Sequence, residues 1–197
     1  MRTETTSHTE NLRELGIKLA GKYLIFALDK EEYAIEILKV NQIIRLQLIT
    51  AIPCTPSFVR GVINLRGMII PIIDLRKKFG MSDHPDTERT CIVVIQLCNN
   101  DTKINIGVVI DEVREVLEIA AADIEPTPEF GIIINTEFIT GIAKTGKSVK
   151  MILDISKVLT TSEIGALTAL SEKADSSCKP GTAGTEAENG ISEDHGG

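Results

Sequence analysis

The sequence contains no tryptophan, and only 4% of its 197 residues are aromatic. It also lacks an apolar run that could cross a membrane as a helix, which takes about 20 residues; its longest such run, residues 68–73, is interrupted by Pro71. Residues 1–11 are polar and contain no apolar segment of the kind found in signal peptides. These absences predict a cytoplasmic protein that does not insert into the membrane.

No region is basic enough to bind nucleic acid, since 28 acidic residues outnumber 21 basic ones and the net charge is -7. The four cysteines form no C-x-x-C pair, which favours reduced, buried thiols over a metal site. The histidines, His8, His84 and His195, lie in the N-terminal segment, a polar loop and the C-terminal tail. We therefore expect no metal, no cofactor and no catalytic site.

The sequence is rich in aliphatic residues that fall in short segments separated by turn residues. Hydrophobic residues make up 43% of the chain, and a core built from Ile, Val and Leu favours β-strands. About ten short strands at near-regular spacing, among them Leu48–Ile52 and Ile132–Ile134, predict an all-β fold of two small barrels packed side by side. We assign the first barrel to residues 21–80, completed by residues 149–160, and the second barrel to residues 90–145.

Short helices and two irregular ends complete the predicted organisation. Leu75–Phe79 is predicted as a helical turn ended by Gly80, and Glu163–Leu170 as a C-terminal amphipathic helix capped by Ser162. Residues 1–20 are predicted to be a flexible segment. Residues 171–197 are rich in small polar and acidic residues, which predicts a disordered acidic tail.

Two segments of the chain resemble each other. The sequence Ile72-Ile73-Asp74-Leu75 is followed by Lys77, and Ile152-Leu153-Asp154-Ile155 is followed by Lys157. In both, an aliphatic strand ends at an aspartate that is suited to cap the next turn. Two explanations remain open, an internal repeat or the common use of aspartate where strands end.

Residues Gly141–Ser148 match G-x-x-x-x-G-K-S, the pattern of a phosphate-binding loop. In such a loop the backbone N–H groups surround a phosphate, and the lysine stands at the start of a helix. Here the flanking segments read as strands, so a β-hairpin explains the same residues. A nucleotide-binding enzyme is the alternative function that this motif leaves open.

The most informative segment, residues 55–79, contains Arg60-Gly61 and Arg66-Gly67 within apolar sequence. An unpaired buried charge is costly, so each arginine either forms an ion pair within the fold or reaches a surface. Arginine among aliphatic side chains is also the composition of interface hot spots. We predict that Arg66 and nearby apolar side chains form a recognition surface.

This segment resembles the CheW family. The resemblance is carried by Phe58–Gly67 and Pro71–Arg76, with further agreement at Glu31–Val40, Gly107–Asp111 and Phe138–Gly141, and it extends from about residue 22 to about residue 170. It implies two SH3-like five-stranded β-barrels within a CheW-like domain over residues 21–170, and it implies no catalysis.

The resemblance also implies partners and site residues. The partners are the regulatory domain of the histidine kinase CheA and the cytoplasmic tip of a methyl-accepting chemoreceptor, in arrays beneath the inner membrane. A kinase that controls a process other than motility is an open alternative. The implied receptor-binding residues are Val40, Gln42, Gly61, Leu65, Arg66 and Gly67, and the implied kinase-binding residues, placed in the second barrel, are Gly107, Val109 and Asp111.

One position departs from the family pattern. Many members have glutamate where this chain has Gln42, facing the arginine that matches Arg66. Glutamine can accept a hydrogen bond but cannot form the ion pair, so we expect a weaker and less pH-dependent pairing.

Overall fold

Two β-sheets form most of the protein in a computed structural model that describes residues 13–99, 102–127, 137–146 and 148–176. A helix over residues 13–19, α1, precedes the sheets. The strands are β1 Gly21–Leu28, β2 Glu31–Glu36, β3 Val40–Arg45, β4 Val59–Leu65, β5 Met68–Asp74, β6 Cys91–Asn99, β7 Thr102–Ile110, β8 Glu112–Ile119, β9 Ile124–Glu125, β10 Ile139–Thr145 and β11 Ser148–Leu153. The later helices are α2 Leu75–Lys78, α3 Ile155–Val158 and α4 Thr161–Ser176, and 3-10 turns cover Ile37–Lys39 and Ala121–Asp123.

The strand order shows that each sheet contains strands from both halves of the sequence. The first sheet has the order β8-β1-β2-β11-β10-β9, and the second sheet has the order β3-β6-β7-β5-β4. The predicted all-β fold with two small barrels is confirmed, but its division is corrected. Strands β3 to β5, assigned to the first barrel, lie in the second sheet, and strands β8 to β10, assigned to the second barrel, lie in the first sheet.

The exchange follows from an internal repeat, with β1–β5 and α2 as the first repeat and β6–β11 and α3 as the second. In each repeat, the first two strands pair antiparallel and the third strand crosses to the other sheet. The last two strands form an antiparallel hairpin, and the final strand of that hairpin pairs in parallel with a strand of that other sheet. The parallel contacts are β5 with β7 and β11 with β2. The repeat that the sequence left open is therefore present.

The two final hairpins match residue by residue. In β4–β5 the register shifts between Val59 and Gly61, and Gly61 then pairs with Ile72. In β10–β11 it shifts between Ile139 and Gly141, and Gly141 then pairs with Ile152. The aspartates that follow, Asp74 and Asp154, cap α2 and α3 by accepting from the backbone N–H groups of Lys77 and Ser156.

The alternation of side chains along the strands builds three cores. On β6, Ile92 and Val94 face the interior of the second sheet, whereas Val93 and Ile95 face the first sheet. The largest cluster lies between the sheets and includes Phe26 of β1. A third cluster, which includes Tyr23, Ile25 and Ile152, fills the interior of the first sheet.

The C-terminal helix begins earlier and ends later than predicted. Its cap is Thr160 rather than Ser162: the Thr160 hydroxyl accepts from the Glu163 N–H at 3.3 Å, and the Glu163 carboxylate accepts from the Thr160 N–H at 2.7 Å. This reciprocal pair stabilises the first turn better than a serine inside it. The helix continues to Ser176, into the segment predicted as tail, and residues 177–197 lie outside the described residues.

Three further expectations change. Residues 13–19 are helical within the segment predicted as flexible, and the buried Gly16 packs against the Ala121 carbonyl. Residues 48–52, predicted as a strand, contribute only a bridge from Thr50 to Val62. Cys54 is an exposed free thiol rather than a buried one. The strand predicted at residues 132–134 lies outside the described residues.

Candidate functional site

The β4–β5 hairpin presents Arg66 at its tip. Arg66 and Gly67 both have positive φ angles, 57° and 89°, as a two-residue turn between twisted strands requires. The Gly67 N–H donates to the Asn64 side-chain oxygen at 2.9 Å, which holds the turn. A left-handed conformation costs a residue with a Cβ about 1–2 kcal/mol relative to the right-handed one, so the turn holds an exposed arginine where asparagine or glycine would be less strained.

Arg66 has no ion pair among the described residues, in contrast to Arg60. The Arg60 side chain is largely buried; its Nη2 lies 2.7 Å from Asp74 Oδ2, and its Nη1 lies 2.8 Å from Asp86 Oδ2. Burial opposes the charge, but the hydrogen bonds to Asp86 and Asp74 outweigh it and raise the pKa of Arg60. The two Arg-Gly pairs therefore differ, since Arg60 ties the 81–90 loop to the sheet and Arg66 is available at the surface.

Val40 and Gln42 lie on β3, at the opposite edge of the same sheet. Val40 packs against the core between the sheets, and Gln42, opposite Val94, is half-buried. In the described part of the chain, Gln42 makes no hydrogen bond to Arg66. The expected pairing of these two side chains is therefore not seen, although Ile44 of β3 and Leu65 of β4 contact the same interior cluster.

Gly61 is buried beneath the hairpin and serves its construction. Its φ is 137°, and a Cβ there would stand 2.0 Å from the Thr50 carbonyl oxygen. Thr50 exchanges two backbone hydrogen bonds of 2.9 Å with Val62, so the chain between β3 and β4 crosses directly over Gly61. Only glycine leaves room for that crossing.

The three residues predicted to bind a kinase lie in or beside β7, in the sheet that also carries the predicted receptor-binding set. Gly107 is buried, and a Cβ on it would meet Ile72 Cδ1 at 2.3 Å; Val109 is 4% exposed. Neither residue reaches the surface. Asp111 follows β7, forms an ion pair with the buried Arg76 and accepts from the Asp29 N–H at 2.7 Å.

Several exposed apolar side chains near this sheet's edges were not singled out from the sequence. Leu48 is 92% exposed in the segment that crosses from β3 to β4, Met68 is 49% exposed directly after the hairpin tip, and Ile43 is 43% exposed on β3. Together with Arg66 they give the edges of the second sheet the composition of a protein-binding surface.

The phosphate-loop motif forms a hairpin. Gly141 to Thr145 belong to β10, and Ser148 begins β11 and pairs with Thr145. Lys147 lies outside the described residues. A strand rather than a helix follows Ser148, so the motif lacks the helix start that binds phosphate.

Within the residues that the structure describes, no helix is long and apolar enough to cross a membrane, and no group of three potential metal-ligating side chains comes together.

Comparisons with known proteins agree on one family. The model of the CheW-like domain matches residues 22–163. The chain is 41% identical to the chemotaxis protein CheW of Klebsiella aerogenes over 75% of this chain and 89% of that protein. It is 33% identical to the chemotaxis protein CheW of Treponema pallidum, over 74% and 85%. The crystal structure of the scaffolding protein TtCheW from Thermoanaerobacter tengcongensis matches with a TM-score of 0.64 and 34% identity, over 74% of this chain and 96% of that chain.

Proposed function

The chain belongs to the CheW family of chemotaxis proteins, and we propose that it is a non-catalytic adaptor that couples the cytoplasmic tip of a methyl-accepting chemoreceptor to a CheA-type histidine kinase. The protein makes or breaks no bond in this role. It acts by holding two partners together, so that a change in one biases the other through a coupling free energy.

The observation that carries this proposal is the exposed Arg66 on a strained hairpin tip. Backbone strain of this kind persists where the surrounding structure enforces it, and it concentrates at functional positions. The exposed side chain of Met68, two residues along from Arg66, and those of Ile43 and Leu48 at the edges of the same sheet supply apolar contact area. An arginine with such neighbours suits a helical receptor tip that docks along the edge of the second sheet.

Within the predicted receptor-binding set, the structure supports two kinds of contribution. Arg66, with Leu65 and Gly67, forms the contact itself, whereas the buried Gly61 shapes the hairpin that presents it. Val40 and Gln42 contribute through the β3 edge.

The predicted kinase contacts act mainly through packing. Gly107 and Val109 hold β7 against its neighbours, and Asp111 positions the connection from β7 to β8. A kinase would then meet the exposed side chain of Arg89 and the half-buried Glu112 with which it pairs. We propose that the protein acts in the cytoplasm, in receptor arrays beneath the inner membrane.

The experiment is an NMR titration of isotope-labelled full-length protein, first with the regulatory domain of the organism's own CheA-type kinase and then with a receptor-tip fragment. We expect the receptor fragment to shift backbone amides of residues 64–68 and 40–45, and Arg66→Ala to remove those shifts. Arg114→Ala, at an exposed arginine of the first sheet, serves as the matched control. Unchanged receptor binding by a folded Arg66→Ala protein would refute the assignment.

A further inference from the structure

The two repeats place matching recesses beside their capping aspartates. In the first repeat, Ser57, Val59, Arg60 and Lys77 line a recess at the end of the β4–β5 hairpin. In the second, Glu137, Ile139, Thr140 and Lys157 line one at the end of β10–β11. Because the hairpins share the same register shift, the two sets of four residues occupy corresponding positions.

The recesses differ in what binds the aspartate. Arg60 is the extra residue in the register shift of β4, and its Nε and Nη2 atoms lie 2.8 and 2.7 Å from Asp74 Oδ2. The corresponding residue of β10 is Thr140, whose hydroxyl donates to the Ile152 carbonyl oxygen at 3.3 Å. The second repeat thus has no arginine of its own at this position.

A cavity of about 420 Å³ lies where the second repeat lacks that side chain. Its apolar floor includes Tyr23 and Ile152, the α1 helix covers one side, and Asp154 stands in its wall. Asp154 is 24% exposed, so a ligand in the cavity can reach it. Three acidic residues, Glu36, Glu137 and Asp154, face three lysines, Lys18, Lys39 and Lys157.

The Lys39 ammonium already pairs with Asp154, so an incoming cation must displace Lys39 or share the Asp154 carboxylate with it. Its Nζ lies 3.1 Å from Asp154 Oδ1 and 3.8 Å from Glu36 Oε2. The Lys39 side chain is 31% exposed and joined through a flexible stem, so it can turn toward Glu36 and solvent. A planar guanidinium offers several N–H donors in a fixed fork, which matches a carboxylate better than a single ammonium.

We propose that this cavity binds an arginine side chain of a partner protein, with its guanidinium on Asp154 as that of Arg60 lies on Asp74. The aliphatic stem of that arginine lies over Ile152 and Tyr23 beneath α1. This site is in the first sheet, away from the Arg66 hairpin, and its existence does not depend on the receptor–kinase assignment.

The test is an NMR titration of the full-length protein with N-acetyl-arginine methylamide, with the citrulline analogue as a neutral probe of the same shape. We expect saturable shifts of the amides at residues 139–141 and 152–157 with arginine, and at least about tenfold weaker binding of citrulline. Equal binding of both probes, or no saturable shift, would overturn the proposal, as would tighter binding of acetate by the lysines.

Two variants give an independent check. Thr140→Arg places a guanidinium in the cavity from within, so it should abolish arginine binding without lowering the urea midpoint. Thr145→Arg adds the same charge at the far end of β10, where Thr145 is half-buried, and should bind as the wild type does. Asp154→Asn keeps a residue that caps α3 well and should weaken binding about tenfold; wild-type binding by both Thr140→Arg and Asp154→Asn would contradict the site.

Discussion

Gly61 lies directly beneath Thr50, so that a Cβ on Gly61 would stand 2.0 Å from the Thr50 carbonyl oxygen. The Gly61→Ala substitution must therefore move the backbone at residues 50–51 or break the Thr50–Val62 bridge. Together with the φ of 137°, this predicts a loss of about 3–4 kcal/mol in the free energy of unfolding, measured by urea denaturation.

The matched control is Gly21→Ala, since nothing lies within 4 Å of a Cβ there and the position has no positive φ. We expect that variant to remain within about 0.5 kcal/mol of the wild type. A Gly61→Ala protein of wild-type stability that fails to bind receptor would instead make Gly61 a contact residue.

The Arg66→Asn substitution should lower the protein's coupling function without lowering its stability. Asparagine tolerates the left-handed turn better than arginine, so the free energy of unfolding should stay the same or rise by up to about 1 kcal/mol. Coupling of the kinase to the receptor should fall, because the exposed guanidinium is lost. A parallel urea titration and kinase-coupling assay test this, and a clear drop in stability would show that the Arg66 side chain supports the fold.

The Arg76–Asp111 ion pair is expected to stabilise the fold. Asp111 is therefore needed for stability, whether or not it also contacts a partner. The Arg76 side chain is only 8% exposed, so Asp111→Ala leaves a largely buried guanidinium without its carboxylate. We expect a loss of about 3 kcal/mol. The exposed pair of Lys144 and Glu125 is the control, and Glu125→Ala should cost less than about 1 kcal/mol.

Stability should fall in acid because two carboxylates are held ionised. Burial opposes the charge of Glu163, but hydrogen bonds from Lys78 and Thr160 outweigh it and lower its pKa; Lys39 and Ser156 lower the pKa of Asp154 in the same way. A pKa lowered by folding stabilises the protein above the unfolded-state pKa, near pH 4, and this contribution disappears as the pH falls through the folded values.

The measurement is the urea midpoint between about pH 7 and about pH 3 for the wild type and Lys78→Gln. The difference between the two proteins should be largest at neutral pH and shrink on acidification. A difference that is constant over this range would show that Lys78 stabilises the fold through its packing on Phe58 instead.

Most strands could be located from the sequence because they form short aliphatic segments between turn residues, as β6 does, where residues 92–95 are all buried. The sheet that each strand joins could not be predicted in the same way. A strand's own residues show which face is buried, but not which neighbour supplies its hydrogen bonds. Strand β3 was therefore assigned to the same barrel as β2, although the turn at Ile37–Lys39 carries it to the other sheet.

The candidate site was predicted in part for a similar reason. Arg66 stands out in sequence because a charge within an apolar segment requires a partner or a surface. Leu48 does not stand out, since a leucine in an apolar segment resembles a core residue until its 92% exposure is known. Gly107 was assigned to a surface, but its lack of a side chain serves the close packing of Ile72 and Ile92.

The exchange of strands between the repeats also determines how the protein unfolds. Neither sheet belongs to one continuous stretch of chain, so cutting the polypeptide between β5 and β6 would leave both halves with unpaired edges. The slowest-exchanging amides of the two sheets should therefore open with one shared free energy, as a single cooperative foldon. An adaptor built in this way has no half that can loosen while the other stays folded.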